Sequence, residues 1–364
     1  MDNNKINEVE VSCIIILFIL SSGFVLPLGT QAHEDIWIVI FTGMVLSIGM
    51  AKIYSYIVSK YDNKNFFKVI EIVFGKFIGT IINILFIWFG IHLCALTLYD
   101  FGEFPTSTTL NNTPLVIFFM GMMILSIWLV KKGPVVIGKS AVIIVFLTSP
   151  IPVFTVLLLI PKMDYLNIMP LLHCGLSNFM KGTLSTFTFP FGETFVAIAL
   201  IEEIKDKKNM YKSYAIGILI GGITLVGVTV SEILVVGHNI YSNTYFPVYV
   251  VASQASVGEF IERMEIVTIL ATSVSSFIKI SVCLYFTCKG ISTLLNMEKY
   301  NYIVSPVGLL IVGIGYRIFP SAMGFVSWGI NIYPYYAIVF EVFLPLIVFL
   351  GVYINKNKRG KVGN

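Results

Sequence analysis

Charge is the scarcest property of this chain. Of its 364 residues only 12% are Asp, Glu, Lys or Arg, whereas a soluble domain carries about 25%. Hydrophobic residues make up 57%, and the mean hydropathy is +0.88. Water cannot solvate so apolar a chain as a globule, so it reads as an all-α polytopic membrane protein. Cysteine is sparse too: Cys13, Cys94, Cys174, Cys283 and Cys288 are odd in number and lack metal-type spacing. A disulfide framework and a zinc site are therefore not expected. Walker A loops, nucleophile elbows, H-E-x-x-H and paired catalytic carboxylates are missing, so no enzymatic activity, cofactor or metal is expected. The net charge of +4 comes from short lysine blocks between apolar runs, not from one basic face, so no nucleic-acid partner is expected. No low-complexity linker interrupts the pattern. Residues 1–364 are read as a single integral membrane domain surrounded by membrane lipid.

What is present is a series of apolar runs long enough to cross a bilayer, which takes about 20 residues as helix. Ten are expected: Val9–Gln31, Ile36–Val58, Ile78–Asp100, Pro114–Lys131, Lys139–Ile160, Thr183–Ile201, Ser213–Gly237, Ile266–Cys288, Tyr302–Phe319 and Ile332–Ile354. The start imitates a signal peptide, with Lys5 before Val11–Leu20. Asp2, Glu8 and Glu10 surround that lysine and no small-x-small cleavage pattern follows, so it reads as a retained first span. The lysines test the threading. Lys5, Lys60, Lys64, Lys68, Lys76, Lys131, Lys132, Lys139, Lys205, Lys207, Lys208, Lys212, Lys289, Lys299 and the tail from Lys356 all fall on one side. The other side holds only Lys162, Lys181, Arg263 and Arg317. The lysine-rich side is cytoplasmic by the positive-inside rule, which puts both termini inside.

One run is anomalous. Ser185–Glu193, S-T-F-T-F-P-F-G-E, puts a proline, a glycine and a carboxylate in mid-span. Proline removes a helix hydrogen bond, and a carboxylate in hydrocarbon costs roughly 2.5 kcal/mol or more. Broken backbone at membrane depth survives only against protein or a watery cavity. The first span carries a similar break, S-S-G-F-V-L-P-L-G from Ser21 to Gly29. Laid on Leu184–Gly192, it matches at Ser22 with Ser185, Phe24 with Phe187, Pro27 with Pro190 and Gly29 with Gly192. Breaks in the first and sixth of ten spans point to a five-plus-five inverted repeat with halves about 9–160 and 183–354, a transporter-type arrangement whose binding site lies between the broken helices. Freed N–H groups suit a carboxylate and freed carbonyls an ammonium, so the ligand is expected to be a small molecule such as an amino acid.

The two breaks, F-P-F-G-E in span six, and F-P-V-Y with G-E-F-I-E-R-M-E before span eight together resemble the B subunits of spore germinant receptors. These are spore permease-type members of the amino acid–polyamine–organocation transporter superfamily. The resemblance covers essentially the whole chain. It implies a LeuT-like fold with unwound helices 1 and 6, a place in the inner membrane of the spore, and A and C subunits as partners. It also implies that a small nutrient binds and starts germination. An ion-coupled amino acid transporter on the same fold is the second reading, and a ligand-gated ion or water channel the third.

Candidate residues follow from the breaks. Ser22, Gly23 and Phe24 would supply backbone at the first, unless they are a packing notch with a proline kink. Thr188, Phe189, Pro190, Phe191 and Gly192 would line the opposite wall, with an aromatic packing stripe as the plainer alternative. Glu193 could bind a ligand ammonium, exchange a proton, pair with a buried lysine, or simply satisfy freed backbone. Lys279, in mid-span eight, is its expected counter-charge. In sodium-coupled relatives of the resembled superfamily a serine or threonine pair on this helix holds sodium; Ser275 and Ser276 occupy that place here, and the lysine could replace the ion. His92 with Trp88 in span three, for which a satisfied core histidine is the favoured alternative, and Tyr333 in span ten are secondary candidates. Gly217 and Gly221 form a G-x-x-x-G packing face.

Overall fold

The computed structural model describes residues 5–61, 64–255 and 263–362; Gly258–Glu262 of the G-E-F-I-E-R-M-E motif lie outside the described residues. Among the described residues the chain is helical, with one isolated β-bridge, Ile6 with Ile204. The helices are α1 (Glu8–Gly23), α2 (Ile36–Ser59), α3 (Phe66–Thr108), α4 (Leu115–Lys132), α5 (Pro134–Thr148), α6 (Pro150–Leu159), α7 (Gly175–Thr186) and α8 (Ile198–Ile201). They continue with α9 (Met210–Asn243), α10 (Pro247–Ala252), α11 (Met264–Leu294), α12 (Val304–Ile318), α13 (Ala322–Asn331), α14 (Tyr333–Ile338) and α15 (Leu344–Val362).

Local chemistry sets the boundaries. Asn7 caps α1 in a reciprocal box: its side chain accepts from the Glu10 N–H, and the Glu10 carboxylate accepts from the Asn7 N–H, both at 2.9 Å. Gly133 (φ 98°) and Pro134 turn α4 into α5. Gly75 (φ 78°) breaks the start of α3 and Gly237 (φ 75°) the end of α9. Both take backbone angles that a side chain disfavours.

Among the described residues, eight helical segments are long and apolar enough to cross a membrane, or nine if α12 and α13, bent by 95°, count as one. The expected ten is reached only by adding α1, which has 16 residues and falls short by itself. α1 is nevertheless the hub: 13 of its 16 residues are buried, and it packs against α9, α11 and α5. Gly217 and Gly221 permit the close approach of α9, facing Ile15 and Ile19 of α1. The outer helices instead expose Ile124, Leu125, Phe146 and Leu147, the side chains that lipid tails would cover.

Contacts at the two ends follow the lysine threading. At one end Ile6 pairs with the strand-like stretch Glu203–Lys205, Lys289 Nζ lies 3.2 Å from Glu203 Oε1, and Tyr300 donates to Val130 O. At the other, His33 meets His238 at 3.3 Å and Lys162 donates to Gln254 O. Each contact joins segments expected on the same side. Two elements differ from expectation. α3 runs on to Thr108, so Asp100 lies inside a helix and not at its edge, and α13 forms within the connection between spans nine and ten. α10 forms in the F-P-V-Y stretch before span eight, where helical material is expected.

Candidate ligand site between the two broken helices

The first break follows from Ser22 to Gly29. α1 ends at Gly23, Pro27 has no N–H to continue it, and Gly29 takes φ 58°. The freed Leu28 N–H donates to the Tyr241 hydroxyl at 2.8 Å, so a buried phenol on α9 holds the unwound segment. In span six α7 ends at Thr186, a π-turn covers Phe187–Phe191, and a 3₁₀ segment covers Gly192–Ala197 before α8. Phe189 alone is extended (φ −126°, ψ 119°). The adjoining Thr186 hydroxyl donates to Val39 O at 2.7 Å, which ties this break to α2. The two breaks touch directly: a Cβ on Gly23 would lie 3.1 Å from the Pro190 ring.

Beside that contact sits a buried charge cluster. Lys279 of α11, 1% exposed, donates to Glu193 Oε2 at 2.5 Å and to the Ser22 hydroxyl at 3.0 Å. Its ammonium also lies 5.0 Å from the Phe18 ring and 5.5 Å from the Phe189 ring, distances at which a cation is attracted to the π face. Tyr333 of α14 donates to Glu193 Oε1 at 2.6 Å and lies 3.5 Å from Glu341 Oε1. Glu341 is fully buried in a π-turn of span ten, and its Oε2 has no partner among the described residues. Any side chain on Gly192 would strike that carboxylate. One lysine thus binds together the first break, the sixth span and the eighth, and a tyrosine carries the network to the tenth.

The cluster opens into a cavity. Ser22, Leu26 and Leu28 form its break-one wall, Ser185, Phe189 and Glu193 its break-six wall, and Lys279 closes one side. Span three contributes Thr97 and Asp100, while α13 and α14 contribute Trp328 and Tyr333. Asp100 is 3% exposed, and its Oδ1 has no partner among the described residues. The lining therefore offers both signs of charge within an apolar enclosure, the composition of a small-molecule site.

The other candidates are distributed as follows. Gly23 and Pro190 form the contact between breaks. Phe24 faces a different cavity, and so does Ser275. Ser276 is buried and lines neither cavity, and the hydrogen bonds of the Lys279 ammonium go to Ser22 and Glu193 rather than to the serine pair. Thr188 spends its hydroxyl on Leu184 O at 2.9 Å, and Phe191 packs against Gly222 of α9. Trp88 is 48% exposed on the outside of the bundle, and His92 stacks on it and meets Trp328 edge-on at 5.4 Å. Their helix turns these two residues away from the cavity and turns Thr97 and Asp100 into it.

A second feature outside the spans was not foreseen. Asp35, just before α2, accepts the N–H groups of Leu172, His173 and Cys174 at 2.6, 2.7 and 2.9 Å. Burial alone would raise its pKa, but these donors more than offset that and hold the carboxyl below the usual aspartate range. The connection between spans five and six, which carries Leu172–Cys174, is thereby fastened beside the break-one segment.

Two interrupted helices meeting at a buried cavity lined by charges of both signs define a LeuT-type transporter fold. Solved structures share it. MhsT in complex with L-phenylalanine superposes with a TM-score of 0.64 over 93% of this chain and 87% of that chain, at 13% identity. Mhp1, a nucleobase-cation-symport-1 family transporter with bromovinylhydantoin bound, gives 0.61 over 93% and 78%, also at 13% identity. The chain belongs to the spore germination protein family of permease type, whose pattern matches residues 5–319. Spore germination protein KB of Bacillus subtilis (strain 168) is 25% identical over 365 aligned residues, 99% of this chain and 98% of its own length. Spore germination protein XB of Bacillus anthracis is 24% identical over 336, covering 90% and 91%.

Proposed function

We propose that this protein is the nutrient-recognition subunit of a spore germinant receptor. It binds a small zwitterion, most simply an amino acid, between its first and sixth spans, and passes the signal to A and C partner subunits in the inner spore membrane. The observation that carries this reading is the cavity where the breaks meet, with Lys279 on one side and the unpartnered Asp100 oxygen on another. A ligand carboxylate would find the Lys279 ammonium, and a ligand ammonium would find Asp100. Binding would compete with Glu193 for Lys279 and so disturb the link from span one to span ten through Tyr333. A ligand shifts such an equilibrium only through its unequal affinity for the two states, and this lysine, shared between protein and ligand, supplies the inequality.

Membership of a transporter fold favours a second reading, in which the same site carries its ligand across the membrane. The test begins with thermal unfolding of the purified chain against a panel of amino acids and other small nutrients. A true ligand at about 100 times its Kd adds roughly 2.7 kcal/mol of stability. Asp100→Asn should weaken the effect of that ligand at least tenfold. If no nutrient in the panel raises the midpoint, or Asp100→Asn responds as the parent does, the site is elsewhere. Uptake of the same ligand by this chain alone in vesicles would decide for the transporter reading.

A further inference from the structure

The first break is also a wall of a second cavity, which Phe24 lines while Ser22 lines the central one. Its other walls come from α5, α6, α9 and α11, and α10 contributes Val248 and Val251. Glu232 of α9 lies in it, 4% exposed, and its Oε1 has no hydrogen-bond partner among the described residues. A buried carboxylate in hydrocarbon must take up a proton or a cation.

The hydroxyls around it define what a ligand there would have to offer. Six line the cavity: Thr148, Thr155, Ser231, Thr268, Thr272 and Ser275. Every one gives its proton to a carbonyl of its own helix. Thr148 donates to Ile144 at 2.8 Å, Thr155 to Ile151 at 2.9 Å and Ser231 to Val228 at 2.7 Å. Thr268 donates to Met264 at 3.0 Å, Thr272 to Thr268 at 3.0 Å and Ser275 to Ala271 at 2.8 Å. A hydroxyl has one proton and two lone pairs. With the proton spent, each of these oxygens turns only an acceptor toward the cavity. No Lys, Arg, His, Asn, Gln or Trp side chain is among the described lining residues. The polar part of the cavity is therefore all acceptor, and the rest of its wall is aliphatic or aromatic. The matching ligand carries several donors, a positive charge and a short apolar body.

We infer that this cavity is a binding site for a small primary alkylammonium ion, its N–H groups donating to Glu232 and the neighbouring hydroxyl oxygens and its carbon chain lying on the apolar wall. The inference does not depend on the ligand of the central cavity.

The test is thermal unfolding of the purified full chain in methylammonium, butylammonium, tetramethylammonium and sodium chlorides at one ionic strength. The midpoint should rise saturably with the two primary ammonium salts and not with tetramethylammonium, which has no N–H donor. Glu232→Gln keeps the side-chain shape and should weaken the butylammonium response at least tenfold, with Thr272→Val weakening it by a smaller factor. Asp100→Asn reports on the central cavity, and loss of the butylammonium response in that variant would overturn the assignment. So would an equal response to tetramethylammonium, a response to sodium alone, or an undiminished response in Glu232→Gln. Should Glu232→Gln not fold, the contrast between butylammonium and tetramethylammonium on the parent, with Thr272→Val, decides the question.

Discussion

Replacing Lys279 by methionine should be among the most damaging single changes in this protein, and adding Glu193→Gln should repair most of the damage. The ammonium and the carboxylate are 2.5 Å apart, with side chains 1% and 3% exposed, so neither can fall back on water. Removing one member of such a pair costs about 3–5 kcal/mol, because the other stays buried and uncompensated. At about 1.4 kcal/mol per decade that is two to nearly four powers of ten in the folding equilibrium. Lys279→Met leaves Glu193 with only the Tyr333 hydroxyl, while Glu193→Gln leaves the ammonium with Ser22 and two aromatic rings. The double variant carries no formal charge, its amide can still accept from Tyr333, and replacement of a buried pair by neutral groups is often close to neutral. The swap of lysine and glutamate should recover less, since it keeps the charge balance and loses the bonds to Ser22 and Tyr333. The protein supplies its own probe: Cys94, Cys283 and Cys288 are buried free thiols, so a thiol-reactive fluorophore reports unfolding in detergent. The cycle of two singles and the double should give a coupling of at least about 2 kcal/mol, in the upper part of the range for residues in contact. Additive effects, or two well-tolerated single variants, would refute the pairing as a structural necessity.

Two further outcomes follow from the geometry. Asp35→Asn should cost about 1.5–3 kcal/mol at neutral pH, the range for hydrogen bonds to a charged group. Because folding lowers the carboxyl's pKa, the contribution of Asp35 is complete above about pH 4 and fades as pH falls through the depressed folded value; parent and variant should converge there in an unfolding series, and a constant gap would contradict the assignment. Gly192→Ala should destabilise by about 1–3 kcal/mol, the usual range for overpacking, because its Cβ meets the Glu341 carboxylate. Glu341→Ala in the same chain should relieve that clash, and failure of the pair to recover would place the cost in the backbone of the break.

How far these features could be read from the chain itself depends on what kind of signal each leaves. Proline, glycine and charge in an apolar run stand out whatever the neighbours, so both breaks, Glu193 and Lys279 are visible in the sequence. Facing is another matter. α1 is buried on nearly every side, so its hydrophobic pattern does not separate Ser22, which lines the central cavity, from Phe24, which lines the other. In span three the opposite problem arises: Trp88 and His92 catch the eye, but the first faces outward and the second packs among aromatic rings. α13 was hidden by its shortness, since ten apolar residues after a bend look like the rim of a span.

Asp100 shows what such an error conceals. Placed at the edge of a span, it is one more solvated acid at a helix end. Placed where α3 carries it, inside a helix that continues two turns to Thr108, it joins Glu193 and Glu341 as a third buried carboxylate around one lysine. Glu193 and Lys279 balance each other, and Tyr333 reaches both Glu193 and Glu341. Asp100 and Glu341 each keep an oxygen without a partner among the described residues, and of the two Asp100 is the one that lines the cavity. Low-dielectric surroundings make an unmatched charge costly and a matched one strong. The protein alone therefore leaves room for one more positive group at this place. On the proposed reading the ligand's ammonium fills it and the ligand's carboxylate meets Lys279, and these separate partners for the two charged ends favour a zwitterion over an uncharged molecule of the same size.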